Sequence, residues 1–199
     1  MKHISIGLVV ATLLLVIGCN SGGSEKGDGL FASGKYQEAI AAYNSYLESN
    51  SSNVKTLYNR GRAYQELGKY DEAEADFLAV IKSDEQNVNA RLSLSKLYYG
   101  KELYNKAVLR AEEAIEINEG SAQAHFLVAR AKHQLGYVDG ALESYSTAIH
   151  LDSDFGEAYL YRGALKIHQG KNRGACEDFR KAEALEVKEA KSIITKYCK

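Results

Sequence analysis

The chain has 199 residues, 45% of them apolar, with 25 basic side chains against 26 acidic ones and a net charge of −1. That is enough apolar material for one core or a short array. The balanced charge offers no basic face of the kind that neutralises a phosphate backbone, so nucleic acid is not an expected partner.

Met1-Lys2-His3 opens the chain, and residues 4–17 form an apolar run of leader length, too short to favour a membrane-spanning helix. The run closes on Leu15-Val16-Ile17-Gly18-Cys19, which resembles the lipobox of bacterial lipoproteins. The resemblance implies lipid attachment at the Cys19 thiol, cleavage after Gly18 and acylation of the new amine. An ordinary secretory leader with an incidental cysteine is the alternative. A buried methylene contributes roughly 0.8 kcal/mol and one acyl chain binds only marginally, so two or three chains are what would hold such a protein on a membrane. Asn20, not Asp, follows the cysteine, which by the same resemblance favours the outer membrane on its periplasmic side. Residues 19–29 are rich in Gly and Ser and read as a flexible tether. A first repeat would then be partial, residues 30–53, with only Leu30-Phe31-Ala32 preceding its well-patterned helix.

Residues 54–87 read as two amphipathic helices about a turn at Gly68-Lys69. Leu57, Gly61 and Tyr64 share one face of the first half, and Ala73, Phe77 and Val80 share one face of the second. The pattern then recurs every 34 residues. Ala39, Ala73, Ala107, Ala141 and Ala175 form one ladder, Tyr43, Phe77, Ala111, Tyr145 and Phe179 a second, and Gly61, Ser95, Ala129 and Gly163 a third of small residues. A small residue at fixed register marks a close approach of two helix backbones, and a bulky one a turn later fills the space left. Five segments, GKYQEA, GKYDEA, ELYNKA, GYVDGA and GKNRGA, stand in register from residue 34 to residue 175. In period and turn segments the chain resembles the tetratricopeptide repeat family from about residue 30 to residue 189.

That resemblance implies an all-α, right-handed solenoid of about five helical hairpins, with repeats at 54–87, 88–121, 122–155 and 156–189, closed by a capping helix at 190–199 in which Ile193, Ile194 and Tyr197 share a face. The family's usual proline after the second helix is replaced by Ser51, Glu85, Glu119, Ser153 and Val187, and its usual first-helix tryptophan by Leu57, Arg91, His125 and Tyr159. Asn53 and Asn87 occupy expected N-cap positions, and Asp154 with Glu157 has capping-box spacing.

Carried over from the family register, the residues lining the concave groove are Lys55, Tyr58, Arg62, Lys96, Tyr99, Phe126, Arg130 and His133. A basic row beside an aromatic one suits a protein or peptide partner with acidic groups. The alternative is that these cations pair with acids of the scaffold itself. Cys176 and Cys198 fall on opposite arms of a helical hairpin turning near Val187, so in an oxidising compartment they are expected to form a disulfide, the alternative being two separate buried thiols.

Chemistry is harder to find. There is no phosphate loop and no Cys-x-x-Cys or His-Glu-x-x-His spacing. His133 and His168 can approach on adjacent first helices, yet no further metal ligands suggest themselves, and Glu112-Glu113 reads as solvated face. The sequence therefore points away from an enzyme, a metal, a cofactor or a small-molecule substrate. It points towards a lipid-anchored envelope adaptor that docks a protein or peptide in its groove, or else a structural, pilotin-like subunit of an envelope assembly held by its edges or convex face.

Overall fold

A computed structural model describes residues 22–198; the leader and Cys19 lie outside the described residues. Among the described residues there are eleven helices and no strand. They run α1 (Gly22–Ala32), α2 (Tyr36–Leu47), α3 (Val54–Glu66), α4 (Tyr70–Ser83), α5 (Val88–Gly100), α6 (Tyr104–Ile117), α7 (Ala122–Gln134), α8 (Val138–Leu151), α9 (Gly156–His168), α10 (Asn172–Ala184) and α11 (Ala190–Tyr197). Each helix packs on the next in sequence, and first helices of neighbouring hairpins also meet, α1 on α3 and α5 on α7. The result is a right-handed solenoid of five helical hairpins plus a terminal helix.

The stretch expected to be tether differs. Residues 22–29 are not loose chain but the first two turns of α1, so the first hairpin is whole rather than partial. Glycine-rich composition argues against an isolated helix, because Gly costs about 1 kcal/mol relative to Ala in a helix interior. Packing on α2 and α3 supplies the compensation. A side chain at Gly27 would run into the ring of Tyr43, so this glycine is what lets α1 close on α2. Gly27 stands one period before Gly61 and is the first rung of the small-residue ladder. Ser24 Oγ lies 3.0 Å from Thr56 Oγ1, tying α1 to α3 as well.

The ladders are the core. Ala39, Ala73, Ala107, Ala141 and Ala175 are fully buried, and Tyr43, Phe77, Ala111, Tyr145 and Phe179 are at most 1% exposed. Volumes compensate across each hairpin. Gly61 faces Phe77, whose Cε1 would stand 2.8 Å from a Cβ there, and Gly163 faces Phe179 at 2.7 Å. In the third hairpin the bulky rung is Ala111 instead, and the small rung is Ser95, which donates through Oγ to the Ala107 carbonyl at 2.8 Å. Interiors packed to crystal density require this matching.

Two buried ion pairs repeat with the same period. Arg60 donates through Nε and Nη2 to Asp76 at 2.8 and 2.6 Å, and Arg162 does the same to Asp178 at 2.9 and 2.7 Å. Lys166 adds a third contact to Asp178 at 2.8 Å. The bidentate bond it donates to Asp76 holds the Arg60 guanidinium above its ordinary pKa against the opposing effect of burial.

Turns follow local chemistry. Asn53, Asn87 and Ser121 accept from the backbone N–H three residues on, at 2.9, 3.0 and 3.2 Å. The capping box expected at Asp154 and Glu157 does not form. Phe155 holds the cap position of α9 without a side-chain cap, and its ring lies 4.6 Å from that of Phe126. Gly156 is pressed so close to Val187 that a Cβ would meet its Cγ2 at 2.6 Å, so packing fixes this helix start. The hairpin turns use left-handed backbone at Gly34, Gly68, Gly136 and Gly170, and at the same register Glu102 adopts it with φ 59°.

At the far end α11 lies on α10. Cys176 and Cys198 are joined as a disulfide with Cα atoms 5.6 Å apart, and the hairpin arms that carry them turn through Glu186, φ 60°.

Candidate functional site: a face built by the first helices

The candidate binding face is carried by α1, α3, α5, α7 and α9. Polar contacts cross it from each helix to the next. Tyr58 Oη lies 3.3 Å from Ser93 Oγ between α3 and α5, and Gln134 Nε2 donates to Tyr99 Oη at 3.2 Å between α7 and α5. His133 on α7 stands near His168 on α9; burial first, and the charge of His168 second, hold the His133 pKa below its ordinary value.

The eight groove residues do not share one environment. Lys55 is exposed but committed to the scaffold: its Nζ meets Asp28 Oδ2 at 2.8 Å. That pair follows from α1 being a helix, which the composition of residues 19–29 hid. Asp28 also accepts from Tyr43 Oη at 2.9 Å and from Asn59 Nδ2 at 2.8 Å. Burial pushes the Asp28 carboxyl up, but the hydrogen bonds from Lys55, Tyr43 and Asn59 outweigh it and leave its pKa below the usual value.

Phe126 is corrected from groove to core. It is 2% exposed, enclosed by Tyr145, Phe155 and Tyr161 at centroid distances of 5.8, 4.6 and 5.8 Å. Its register is the one where the family exposes a side chain, but three aromatic rings from neighbouring helices close over it.

Arg62, Lys96 and Arg130 make no ion pair among the described residues. Arg62 and Lys96 are exposed; the Arg62 guanidinium lies 4.7 Å from the ring centre of Phe31. Arg130 is half-buried over Tyr99 at 4.2 Å, with Tyr161 at 5.5 Å and Phe126 at 5.8 Å. Such stacking keeps the guanidinium charge on the face, although Arg130 Nε itself is buried with no hydrogen-bond partner among the described residues. Other cations do find acids: Lys101 with Asp71 and Glu74, Lys132 with Glu112, Arg91 with Glu113. The face is therefore basic by what is left unpaired, in a chain that is nearly neutral.

Beyond Arg130, α9 and α11 enclose a cavity of about 450 Å³ lined by Ala164, Ile167, His168, Phe179, Ile193 and Tyr197, among others. Among the described residues no three metal-type ligands gather, and His125 turns away from His133 to contact the Glu119 carbonyl at 3.2 Å. No helix among the described residues is long and apolar enough to cross a membrane.

Sequence reasoning missed Asp28, Asp76 and Asp178. For the last two the signal was present: Arg60 with Asp76, and Arg162 with Asp178, recur at equal register three periods apart.

No curated protein matches the sequence. A family model described as tetratricopeptide repeat matches residues 24–88 and 58–122. Among solved structures, the chain is similar to the crystal structure of MamA, with 27% identity and a TM-score of 0.74, over 83% of this chain and 96% of that one. It is similar in fold to YrrB, described as a TPR protein with an unusual peptide-binding site, at 21% identity and TM-score 0.70 over 89% of this chain and 91% of that one. The same holds for PilF of Pseudomonas aeruginosa, at 15% identity and TM-score 0.75 over 83% of this chain and 75% of that one. With its 34-residue ladders, its stacked hairpins and these matches taken together, the chain belongs to the tetratricopeptide repeat family.

Proposed function

We propose that this protein is a lipid-anchored scaffold of the bacterial envelope that docks an acidic segment of a protein partner on the face made by α3, α5, α7 and α9. The tetratricopeptide fold is a protein-interaction scaffold rather than a catalytic one. The observation that carries the reading is the row Arg62, Lys96 and Arg130: three cations at equal register on consecutive first helices, none with an acidic partner among the described residues. The anchor is supported by the lipobox resemblance at Cys19. Two acyl chains or more suffice to hold it on a bilayer, probed by palmitate labelling and by release of a Cys19→Ser form into the soluble fraction.

The test of the face is a cross-linking pull-down from membranes, comparing the native chain with Arg62→Glu/Lys96→Glu/Arg130→Glu. Loss of a captured protein supports the reading, and unchanged capture refutes it. A second reading, a structural or pilotin-like subunit held by an edge, is favoured by Tyr70, Leu103 and Tyr137. They are 46%, 40% and 62% exposed at the turns of successive hairpins. Unchanged capture by the triple variant, with loss on substituting these three, would select it.

A further inference from the structure

The repeat lattice has one rung that is incompletely filled. Between α7 and α9 the space over Tyr145 is taken by Arg130, whose guanidinium lies 5.5 Å from the ring centre of Tyr161, and by Tyr161 itself, stacked on Tyr145 at 6.2 Å. One period on, Phe179 keeps the bulky rung, but Ala164 stands for Arg130 and Thr195 for Tyr161. Both are smaller, and Thr195 turns its hydroxyl back onto its own helix, donating to the Lys191 carbonyl at 3.0 Å. The volume left is the cavity of about 450 Å³ between α9 and α11, walled by Ala164, Ile167, Phe179, Ile193 and Tyr197. Ligand pockets run from about 300 to 1,000 Å³, so this one admits a single large side chain with its backbone, not a whole helix. Water over such walls finds few partners, and an apolar group that displaces it gains affinity.

The rim decides what such a side chain must come with. His168 and Lys196 stand there, and no acid lines the cavity. Lys196 holds the register of Arg60 and Arg162, whose carboxylates, Asp76 and Asp178, come from the second helix of their own hairpins. Among the described residues no second helix follows α11, and Lys196 makes no ion pair. Farther along the same face Lys96 and Arg62 are exposed and equally without an acid. These charges repel a partner's basic side chain and favour an apolar one with carboxylates close to it in sequence.

We propose that the cavity between α9 and α11 is the anchor subsite of the face: it takes one bulky apolar side chain from the partner's acidic segment. The segment's carboxylates then meet Lys196 at the rim and Lys96 and Arg62 across the face. Ala164 is the specificity-determining residue, because its lack of a side chain is what opens the subsite where the row Arg62, Lys96 and Arg130 would otherwise continue. This rests on the face being the partner site, and it adds an apolar requirement and a direction to the ligand. The wall supplied by Ile193 and Tyr197 belongs to α11, which the Cys176–Cys198 disulfide fastens to α10.

The experiment is selection of phage-displayed random dodecapeptides on the chain from Asn20 onward, which carries the whole solenoid, with the disulfide intact. Fluorescence anisotropy on the enriched peptides follows. The expected peptides combine Asp or Glu with one Phe, Leu, Met or Tyr. Ala164→Arg fills the cavity with a side chain that Arg62 and Arg130 already carry at that register, and it adds a cation to the face. If charge alone recruits the segment, this variant binds more tightly; if the cavity holds the anchor, it binds tenfold or more weakly. Changing the peptide's apolar residue to Ala should cost the native chain a similar factor and leave Ala164→Arg nearly unaffected. A benzoylphenylalanine cross-linker at that peptide position should label α9 or α11 of the native chain, which decides the matter even if Ala164→Arg does not fold. Unchanged or tighter binding by a folded Ala164→Arg, or labelling elsewhere, overturns this inference while leaving the face as a partner site. No peptide enriched over an Arg62→Glu/Lys96→Glu/Arg130→Glu control overturns both.

Discussion

Asp178 gives the sharpest test of what holds the solenoid together. Its carboxylate is 4% exposed and accepts from Arg162 twice and from Lys166 once, at 2.9, 2.7 and 2.8 Å. Asp178→Asn keeps the shape and removes the charge. It leaves two cations, 17% and 23% exposed as side chains, around a neutral amide whose NH2 end faces an N–H donor whichever way it is turned. Breaking a buried pair by removing one partner costs about 3–5 kcal/mol, because the remaining charge stays desolvated. Partial access of water to both cations puts this case at the low end, about 3 kcal/mol. For a chain of this length each kcal/mol moves the melting temperature by about 2–4 °C, so a drop of about 6–12 °C is expected. Asp76→Asn strands a single cation, Arg60, and should cost less. Because each hairpin leans on its neighbours alone, the damage is local. Hydrogen exchange should rise in α9, α10 and α11 first. A melting temperature within 2 °C of the parent, or lost protection starting in α3, would refute the reasoning.

Glu102 sits at φ 59°, where its fellow turns use glycine, so Glu102→Gly should gain about 0.5–1 kcal/mol in urea melts. Gly163→Val should lose about 1–3 kcal/mol or more by colliding with Phe179, and Phe179→Ala in the same chain should return part of the loss, mimicking the Ser95 and Ala111 pairing. Reducing the Cys176–Cys198 bond opens a loop of 22 residues, worth about 3 kcal/mol in the chain-entropy account, and raises the intact mass by about two protons; an unchanged mass would mean no bond. His133 has its pKa lowered in the fold, so the folded state holds fewer protons than the unfolded one just below pH 6.5. Its contribution is complete above that pH and fades as pH falls through the window beneath it. His133→Gln should flatten that part of a melting-temperature profile taken between pH 7.5 and 5. Asp28 has the opposite chemistry and the same sign: its lowered pKa means stability held above pH 3.8 and lost as pH falls through the folded value, a loss absent in Asp28→Asn.

The stack was legible because it is written five times. A fully buried alanine every 34 residues and a bulky or small partner one turn on constrain backbone approach whatever covers the surface. The first helix was not legible from composition, since glycine and serine speak for loose chain, and only the register of Gly27 with Gly61 spoke for packing. The groove list was legible by position but not by environment. Which cations remain unpaired depends on acids such as Asp28 and Glu112, whose reach is set by the folded chain, and Phe126 was lost to a cluster whose other rings come from two neighbouring helices. The orphaned Tyr145 hydroxyl has no sequence signal, because the same letter at Tyr43 is satisfied.

The early start of α1 bears on the proposed lipid anchor. Gly22 is the first helical residue and stands three positions after Cys19. With lipid on that cysteine, three residues give a leash of about 10 Å at full stretch, shorter than the thickness of one helix with its side chains. A body on so short a leash would stay within a helix thickness or so of the headgroups at the end where α1 begins.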